Sequence, residues 1–337
     1  MRVLITGGAG FIGQHVTRLL VERGDEVVVA LAPGESDSAI AHLDVERVTA
    51  DLRDLPAVID AVRGCAAVVN LAAVYALWMK DWRPLYQINV QGTRNVLTAC
   101  HREGVGKVVH TSSIAALGVE PGLQPTTEET TFNMHGRASH YVLSKYYAER
   151  EALEFAERGL PVTIVNPAFP FGVGDHRPTP TGRIVLRILA GTYFAHGPGG
   201  INAVDVEDVA RGHVLALDKG QPGRRYLLSG TDVTYADLFR RVKELGGIER
   251  KSFSVPRWML IVMGWAGDIV GRFREPLVDS ITVRYTSQHL YYDCTRARAE
   301  LGYRVTPLED TLSKSIAWFK ENDYLAPDAH WRMRLRG

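Results

Sequence analysis

The chain has 337 residues, of which 46% are hydrophobic and 23% are charged, and its formal net charge is +1. This length predicts one large or two moderate globular units. The near-neutral balance excludes a strong overall field that would favour nucleic acid or an anionic membrane as partner. The start of the chain lacks a basic stretch followed by a long apolar one, and its three cysteines are far apart, so we expect a cytoplasmic protein with reduced thiols.

The N-terminal half alternates short apolar runs with longer helical patterns, as expected for an α/β protein with a parallel sheet. The predicted strands are Arg2–Thr6, Glu26–Leu31, Val45–Ala50, Ala67–Leu71, Lys107–Thr111 and Pro161–Val165. The predicted helices are Gly10–Arg23, Leu55–Val62, Pro84–Glu103 and Ser139–Arg158. This alternation predicts a doubly wound, parallel-sheet Rossmann domain.

The pattern becomes less regular after Asn166, where a segment rich in proline and glycine begins. Helices are predicted over 181–190 and 206–217, and a strand over 225–228. We therefore expect a smaller mixed α/β substrate-binding domain formed by residues 167–202 and 219–337. The Rossmann domain would comprise residues 1–166 and about 203–218.

The longest uncharged apolar run is Trp258–Gly267, which is about half the length of a membrane span. We interpret it as a buried helix or loop wall, with interfacial membrane contact as the alternative. No membrane span is predicted.

A glycine-rich turn follows the first predicted strand, with Gly7, Gly8, Gly10 and Gly13 leading into a helix. Glycine permits a tight turn, close backbone approach to a pyrophosphate and close helix–strand packing. The start of the helix then offers free N–H groups and partial positive charge to phosphates. Strand, turn and helix together predict dinucleotide binding.

The end of the second predicted strand bears on the choice between NAD and NADP. An acidic residue there would bind the ribose of NAD, but this chain has Ala32 and Pro33. The following loop carries several carboxylates and no Lys or Arg before Arg47, which favours NAD weakly and leaves NADP open. Asp51 and Leu52, which end the next strand, are placed to meet the adenine.

Tyr141 and Lys145 lie four residues apart on a predicted helix and so share one face. A neighbouring ammonium group favours the phenolate form, so Tyr141 could exchange a proton with a carbonyl or alcohol oxygen near neutral pH. Upstream, a strand ends in Ser112 and Ser113, and a serine there could hydrogen-bond the reacting oxygen. These residues predict a site that exchanges a proton with a substrate oxygen beside the cofactor cleft.

Several motifs, in this order, resemble the extended branch of the short-chain dehydrogenase/reductase superfamily, the NAD-dependent epimerase/dehydratase family. They are TGGAGFIG, ADLRD, NLAA, NVQGTRNV, VVHTSSIAALG, YVLSK and VDVEDVARGH. Within that branch, the segment 166–184 and the tail LGYRVTPLEDTLSKSIAWF are similar to the dihydroflavonol 4-reductase-like group, which includes hopanoid-associated sugar epimerase-like proteins.

This resemblance implies hydride transfer with Ser113, Tyr141 and Lys145 as catalytic residues. The residues it implies or supports as cofactor contacts are Gly7, Gly8, Gly10, Phe11, Ile12, Gly13, Asp51, Leu52, Leu71, Ala72, Ala73, Asn89, Thr111, Tyr141, Lys145, Asn166 and Pro167. It also implies a homodimer formed by the helices Pro84–Glu103 and Ser139–Arg158.

The substrate side distinguishes a reductase from a nucleotide-sugar epimerase. The epimerases typically place Asn and Arg at positions held here by Phe169 and Ile201, which are apolar and would stabilise a diphosphate poorly. The expected pocket residues are Tyr75, Trp78, Ser113, Phe169 and Phe171, with Trp82, Tyr193 and Phe194 as further aromatic candidates.

We therefore predict reversible oxidoreduction of an apolar or aromatic ketone, aldehyde or secondary alcohol. A nucleotide-sugar epimerase or dehydratase is the alternative, and a non-catalytic cofactor-binding regulator is a more remote one. The scattered histidines have no metal-ligand spacing, so no metal site is predicted.

Overall fold

The structure, a computed structural model, describes residues 1–76, 78–136, 138–271, 273 and 279–326. The strands are β1 (Arg2–Thr6), β2 (Glu26–Leu31), β3 (Glu46–Thr49), β4 (Ala67–Asn70), β5 (Lys107–Thr111), β6 (Val162–Pro167), β7 (Phe169–Phe171), β8 (Ala195–His196), β9 (Gly200–Asp205), β10 (Arg225–Leu228), β11 (Thr231–Thr234), β12 (Phe253–Ser254) and β13 (His289–Leu290). The helices are α1 (Gly13–Glu22), α2 (Leu55–Val62), α3 (Arg83–Tyr86), α4 (Thr93–Arg102), α5 (His140–Glu157), α6 (Pro180–Leu189), α7 (Val206–Lys219), α8 (Tyr235–Gly246), α9 (Arg257–Val270), α10 (Ser280–Thr286) and α11 (Leu308–Glu321).

Seven parallel strands form the main sheet in the order β3-β2-β1-β4-β5-β6-β10. The strand order reverses between β1 and β4, and such a switch point opens a crevice at the carboxyl ends of the strands. The prediction of a doubly wound Rossmann sheet is confirmed.

Alternating residues of the central strands pack on opposite faces of this sheet. Val3 and Ile5 of β1 pack in the core with α1 and α7, whereas Leu4 packs in the core with α2, α4 and α5. Both faces of the parallel sheet are therefore covered by helices, which explains the continuous apolar runs in the sequence.

A smaller part of the chain has its own core between α6, α8 and α11. Its sheet is centred on β9, which pairs antiparallel with β11 and parallel with β13 and β7. Asp205 ends β9 and caps α7, because its Oδ1 accepts from the Glu207 N–H at 2.8 Å. The chain thus passes directly from the small sheet into a helix of the Rossmann part.

Three features differ from the sequence predictions. Strand β10 belongs to the main sheet, although 219–337 had been assigned to the substrate-binding domain. The predicted helix Pro84–Glu103 is divided by a π-helical turn, Gln87–Gly92, between α3 and α4. The apolar run within α9 is exposed, with Trp258 at 65% and Trp265 at 63%, so its interpretation as a buried wall is wrong.

Candidate active site

The glycine turn after β1 has no room for side chains at two positions. Gly7 has φ of +68°, and a Cβ there would lie 2.8 Å from the backbone N and Cα of Ala72. A Cβ on Gly13 would lie 2.0 Å from the carbonyl oxygen of Gly7. The turn therefore closes tightly against the segment that follows β4.

The start of α1 fits a phosphate group. No side chain caps its N-terminus, and its first turn contains no acidic residue. Gly10 is exposed, Phe11 and Ile12 are half-buried, and Gly8 is buried against the turn. Backbone N–H groups and the helix dipole are thus available to an anion, as a dinucleotide pyrophosphate requires.

Leu71, Ala72 and Ala73, the predicted cofactor contacts after β4, lie beside this turn. The N–H of Leu71 donates to the Thr6 carbonyl at 3.1 Å, and the N–H of Ala72 donates to Thr6 Oγ1 at 3.2 Å. Thr6 ends β1, so the structure brings both predicted segments together at the switch point of the sheet.

Asn89 is also a predicted cofactor contact, but its side chain is only 1% exposed and holds the neighbouring loop. Its Oδ1 accepts from the Val74 N–H at 2.7 Å, and its Nδ2 donates to the Val74 carbonyl and to Ser144 Oγ, both at 3.0 Å. This amide therefore positions the segment after β4 from within the protein.

The end of β2 is occupied by one of the carboxylates of the loop that follows it. Glu35 Oε2 accepts from the Ala32 N–H at 2.9 Å, so an acidic group stands at the strand end although the strand itself ends without one. Arg47, the first cation after this loop, donates to Asp37 Oδ2 at 2.7 Å and to the carbonyls of Val45 and Ile40.

Asp51 and Leu52 follow β3, as predicted for adenine contacts. Asp51 is engaged by Arg53, whose Nη2 lies 2.6 Å from Asp51 Oδ2, and the hydrogen bond from this side chain lowers the pKa of Asp51. The Leu52 carbonyl accepts from Asn95 Nδ2 at 2.7 Å. Both residues are thus fixed by neighbouring side chains.

Helix α5 carries Tyr141 and Lys145. Ser139 caps it, since its Oγ accepts from the Val142 N–H at 3.3 Å. Lys145 is buried, and its Nζ donates to the carbonyl oxygen of Thr111 at the end of β5 at 2.8 Å. Burial lowers the pKa of Lys145 to about 8, and Glu149 opposes that shift.

Ser113 follows β5 and caps a short 3₁₀ helix, Ile114–Ala116. Its Oγ accepts from the Ala115 N–H at 3.1 Å, so its own proton remains available for donation. Ser113 is half-buried, whereas Ser112 is 4% exposed. Tyr141 packs against the cluster that contains Ala115, which brings the phenol-bearing helix to the serine segment.

A buried polar network lies behind Lys145. Asn166 Nδ2 donates to the Ser113 carbonyl at 3.0 Å and to Glu149 Oε2 at 2.6 Å. Glu149 also pairs with Arg225 of β10, with 2.9 Å between Oε1 and Nε. The sequence analysis missed Glu149 and Arg225, although Glu149 extends the spacing of Tyr141 and Lys145 by one further helical turn.

Two buried histidines complete the surroundings of β5. His213 lies 2.9 Å from Thr111 Oγ1, and burial lowers its pKa to about 4. Burial lowers the pKa of His110 to about 3, with a smaller contribution from Lys145. Both rings are therefore neutral at pH 7, and Thr111 is held by His213 and Lys145.

Pro167, another predicted cofactor contact, ends β6 one residue after Asn166.

The predicted aromatic pocket is brought together in part. Tyr75 is 46% exposed, and its ring packs edge-to-face on Tyr141 with centroids 4.4 Å apart. Trp78 Nε1 donates to the Gly271 carbonyl at 3.2 Å, and Phe169 is partly buried between two cores. Phe171 is 1% exposed and packs in the smaller core, where β7 pairs with β9, so the structure does not present it to an open pocket.

The further aromatic candidates pack on other rings than Tyr75 and Tyr141. Trp82 stacks on His140 with centroids 4.7 Å apart, Tyr193 packs on Phe239 of the smaller core, and Phe194 packs near Phe253. Within the residues the structure describes, no cluster of three or more His, Cys, Asp or Glu side chains could hold a metal ion, and no helix is long and apolar enough to cross a membrane.

Comparison with known proteins shows the family to which this chain belongs. Residues 3–229 match the sequence model described as the NAD dependent epimerase/dehydratase family. A Synechocystis sp. protein named as a dihydroflavonol 4-reductase is 34% identical over 95% of this chain and 95% of its own length. Sterol demethylase protein B from Methylococcus capsulatus is 33% identical over 95% of this chain and 99% of its own length. The crystal structure of gox2253 has a TM-score of 0.87 at 35% identity, covering 95% of this chain and 98% of that one.

Proposed function

The chain belongs to the NAD dependent epimerase/dehydratase family, and several of its relatives are named as reductases. We propose that it interconverts an apolar or aromatic ketone or aldehyde with the corresponding alcohol. The nicotinamide, when bound, supplies the hydride acceptor or donor. The observation that carries the proposal is the placement of Tyr141 and Lys145 on α5, with the Lys145 ammonium bonded to the end of β5.

In this proposal Tyr141 transfers the proton. Loss of a hydride from an alcohol carbon requires loss of the hydroxyl proton, which the Tyr141 phenolate accepts, and reduction runs the same transfer backwards. The Lys145 ammonium stabilises the phenolate by its charge. Ser113 donates its hydroxyl proton in a hydrogen bond to the substrate oxygen. This bond holds the substrate oxygen between Ser113 and Tyr141.

The surroundings of Tyr141 support an apolar substrate. Tyr75 presents an exposed aromatic ring against it, and Trp78 lies on the same segment. Two relatives carry names that refer to a dihydroflavonol and a sterol. The positions at which we expected an epimerase to bind diphosphate are apolar here, and Ile201 is 1% exposed within β9.

The carboxylate of Glu35 at the end of β2 supports NAD as the cofactor. It would repel the additional phosphate of NADP, and Arg47, which could otherwise compensate, is engaged by Asp37. Cofactor preference is therefore part of the proposal.

A substrate panel tests the proposed function. Aromatic, terpenoid and steroid ketones, aldehydes and alcohols are each incubated with NAD(H) and NADP(H), and the absorbance of the reduced nicotinamide is followed. We expect turnover with apolar substrates. Epimerisation of a UDP-sugar without net change in the nicotinamide would contradict the proposal and favour the epimerase alternative.

A further inference from the structure

Helix α9 exposes its apolar stripe to solvent, whereas a typical helix of a globular protein buries that stripe. Five large apolar side chains at helical spacing form an outward stripe with exposures of 65, 37, 54, 63 and 64%: Trp258, Ile261, Val262, Trp265 and Ile269. The opposite side packs by glycines, since Gly264 and Gly267 are buried and a Cβ on Gly264 would lie 2.9 Å from Ser280 Cα of α10. Contact with α10 thus uses the small residues and leaves the large ones in solvent.

Further apolar side chains flank this outward stripe in the chain. Phe253 of β12 is 56% exposed, Phe273 is 86% exposed, and Ile281 of α10 is 40% exposed. Soluble proteins seldom expose so many large apolar groups together unless the surface binds a protein or a membrane.

The charge around the outward stripe favours a membrane. Among the described residues of segment 250–284, four are Lys or Arg and two are Asp or Glu, although the chain as a whole is nearly neutral. Arg250, Lys251, Arg257 and Arg284 are exposed. Tryptophan and cations beside an apolar helix face are typical of helices that lie in the surface of an anionic bilayer.

The length of α9 sets how it would bind. Its 14 residues span about 21 Å at 1.5 Å per residue, which is less than the roughly 30 Å of a bilayer core. The helix would therefore lie in the plane of the interface rather than cross it.

We propose that α9 is an interfacial anchor that binds this chain to the surface of an anionic bilayer. The anchor is joined to the candidate active site, because the Gly271 carbonyl at the end of α9 accepts from Trp78 Nε1, in the segment that carries Tyr75. The Tyr75 ring in turn packs on Tyr141. The anchor would let an apolar substrate dissolved in the bilayer reach the cofactor cleft. This statement about the substrate rests on the proposed function.

Flotation of the purified full chain with vesicles tests the anchor. The vesicles consist of phosphatidylcholine alone or phosphatidylcholine with phosphatidylglycerol, at low and high salt. We expect the chain to float with the anionic vesicles, less so at high salt, and the double variant Trp258→Ser/Trp265→Ser to lose roughly tenfold or more of its partitioning. Leu123→Ser, which removes a side chain 66% exposed elsewhere, is the matched control and should float like the parent chain.

Other outcomes would overturn the anchor. Equal flotation of the double variant, or absence of flotation by the parent chain, contradicts it. Sedimentation that shows a dimer dissociated by the double variant, without vesicle binding by the parent chain, would identify the outward stripe as a contact between two copies.

A second readout separates the anchor from the proposed function. We expect the double variant to turn over a water-soluble short-chain ketone like the parent chain, and to lose activity on a sterol ketone supplied in vesicles. Flotation without turnover of any substrate would remove the proposed function and leave the anchor standing. Turnover without flotation would remove the anchor and leave the proposed function standing.

Discussion

Two opposing effects act on the pKa of the Lys145 amino group. Burial favours its neutral form and lowers its pKa to about 8, whereas the Glu149 carboxylate, one helical turn further on, favours the charged form. Glu149 is in turn held by Asn166 and by Arg225 of β10. The charge that the proposed chemistry needs on Lys145 therefore depends on the carboxylate that Asn166 and Arg225 hold in place.

The role of Tyr141 is tested by removal of one oxygen atom. Tyr141→Phe retains the ring that packs on Tyr75 but cannot transfer a proton, so we expect turnover to fall by about 10²–10⁴-fold with NADH affinity preserved. Initial rates and a fluorescence titration of NADH measure the two properties. Tyr147→Phe, on the same helix but 45% exposed, serves as the control. Equal activity of Tyr141→Phe would remove this residue from the mechanism.

The role of Glu149 is tested by the pH dependence of turnover. Glu149→Gln removes the group that raises the pKa of Lys145, so that pKa should fall further below about 8 and the ammonium should be lost at lower pH. We expect the alkaline limb of the pH–rate profile to move to lower pH. Glu154→Gln, an exposed position of α5 paired with Arg158, should leave the limb in place. An unshifted limb in Glu149→Gln would show that Glu149 does not tune Lys145.

The carboxylate of Glu35 is expected to reject NADP. Glu35→Gln retains the size of the side chain but removes its charge, and loss of one close charge repulsion of about 1–2 kcal/mol should improve NADP relative to NAD about tenfold. The ratio of kcat/KM for the two cofactors measures this change. Glu22→Gln, at the far end of α1, should leave the ratio unchanged. If the ratio also stays constant in Glu35→Gln, Glu35 does not select the cofactor.

At the scale of elements, the strand–turn–helix unit of β1 and α1 is the part most constrained by covalent geometry. Gly7→Ala places a methyl group 2.8 Å from the Ala72 backbone and must displace one of the two segments at the switch point. We expect NADH affinity to fall by about tenfold or more, corresponding to at least 1.4 kcal/mol, in a fluorescence titration.

Gly24→Ala separates backbone strain from loss of the cofactor cradle. Gly24 also has a positive φ, +85°, but a Cβ there meets no atom within 4 Å. This control should cost about 1 kcal/mol of stability without weakening NADH. Loss of NADH binding in both variants to the same extent would show that strain alone, rather than the close approach at Gly7, matters.

Periodicity predicted the elements well wherever both faces of the sheet are covered. Arg2–Thr6, Glu26–Leu31 and Lys107–Thr111 are strands with the predicted bounds, because continuous apolar runs bounded by glycine or polar residues have few other ways to be buried. Periodicity could not predict that the apolar face of α9 is exposed. An apolar stripe shows which residues share a face, but not whether another element covers that face.

The candidate site was predicted where it depends on local sequence and missed where it depends on tertiary contacts. Tyr141 and Lys145 are four residues apart on one helix, so their proximity follows from helix geometry. Glu149 meets Arg225 only because a strand from much later in the chain joins the sheet. Likewise, the inward position of Phe171 follows from the pairing of β7 with β9, which the alternation of a three-residue strand cannot reveal.

At the scale of the whole molecule, β10 connects the two parts of the chain. It follows α7 and forms the edge of the main sheet next to β6, and its Leu227 is fully buried in the core with α1 and α7. The Leu227 N–H donates to Glu128 Oε1 at 2.9 Å, so a segment far upstream also depends on it. A boundary before β10 would therefore cut through the Rossmann core.

This arrangement predicts that damage in β10 weakens the cofactor-binding part directly. Leu227→Ala should lower the free energy of unfolding by about 2–5 kcal/mol because it leaves a cavity in that core, whereas Leu245→Ala, 39% exposed on α8, should change it by less than about 0.5 kcal/mol. Urea unfolding is followed by circular dichroism and, in parallel, by retention of NADH. Since β10 is a strand of the sheet that carries the proposed cofactor site, both signals of Leu227→Ala should shift together to lower urea. An early transition that leaves NADH binding intact would instead assign β10 to a unit that unfolds independently of the cofactor site.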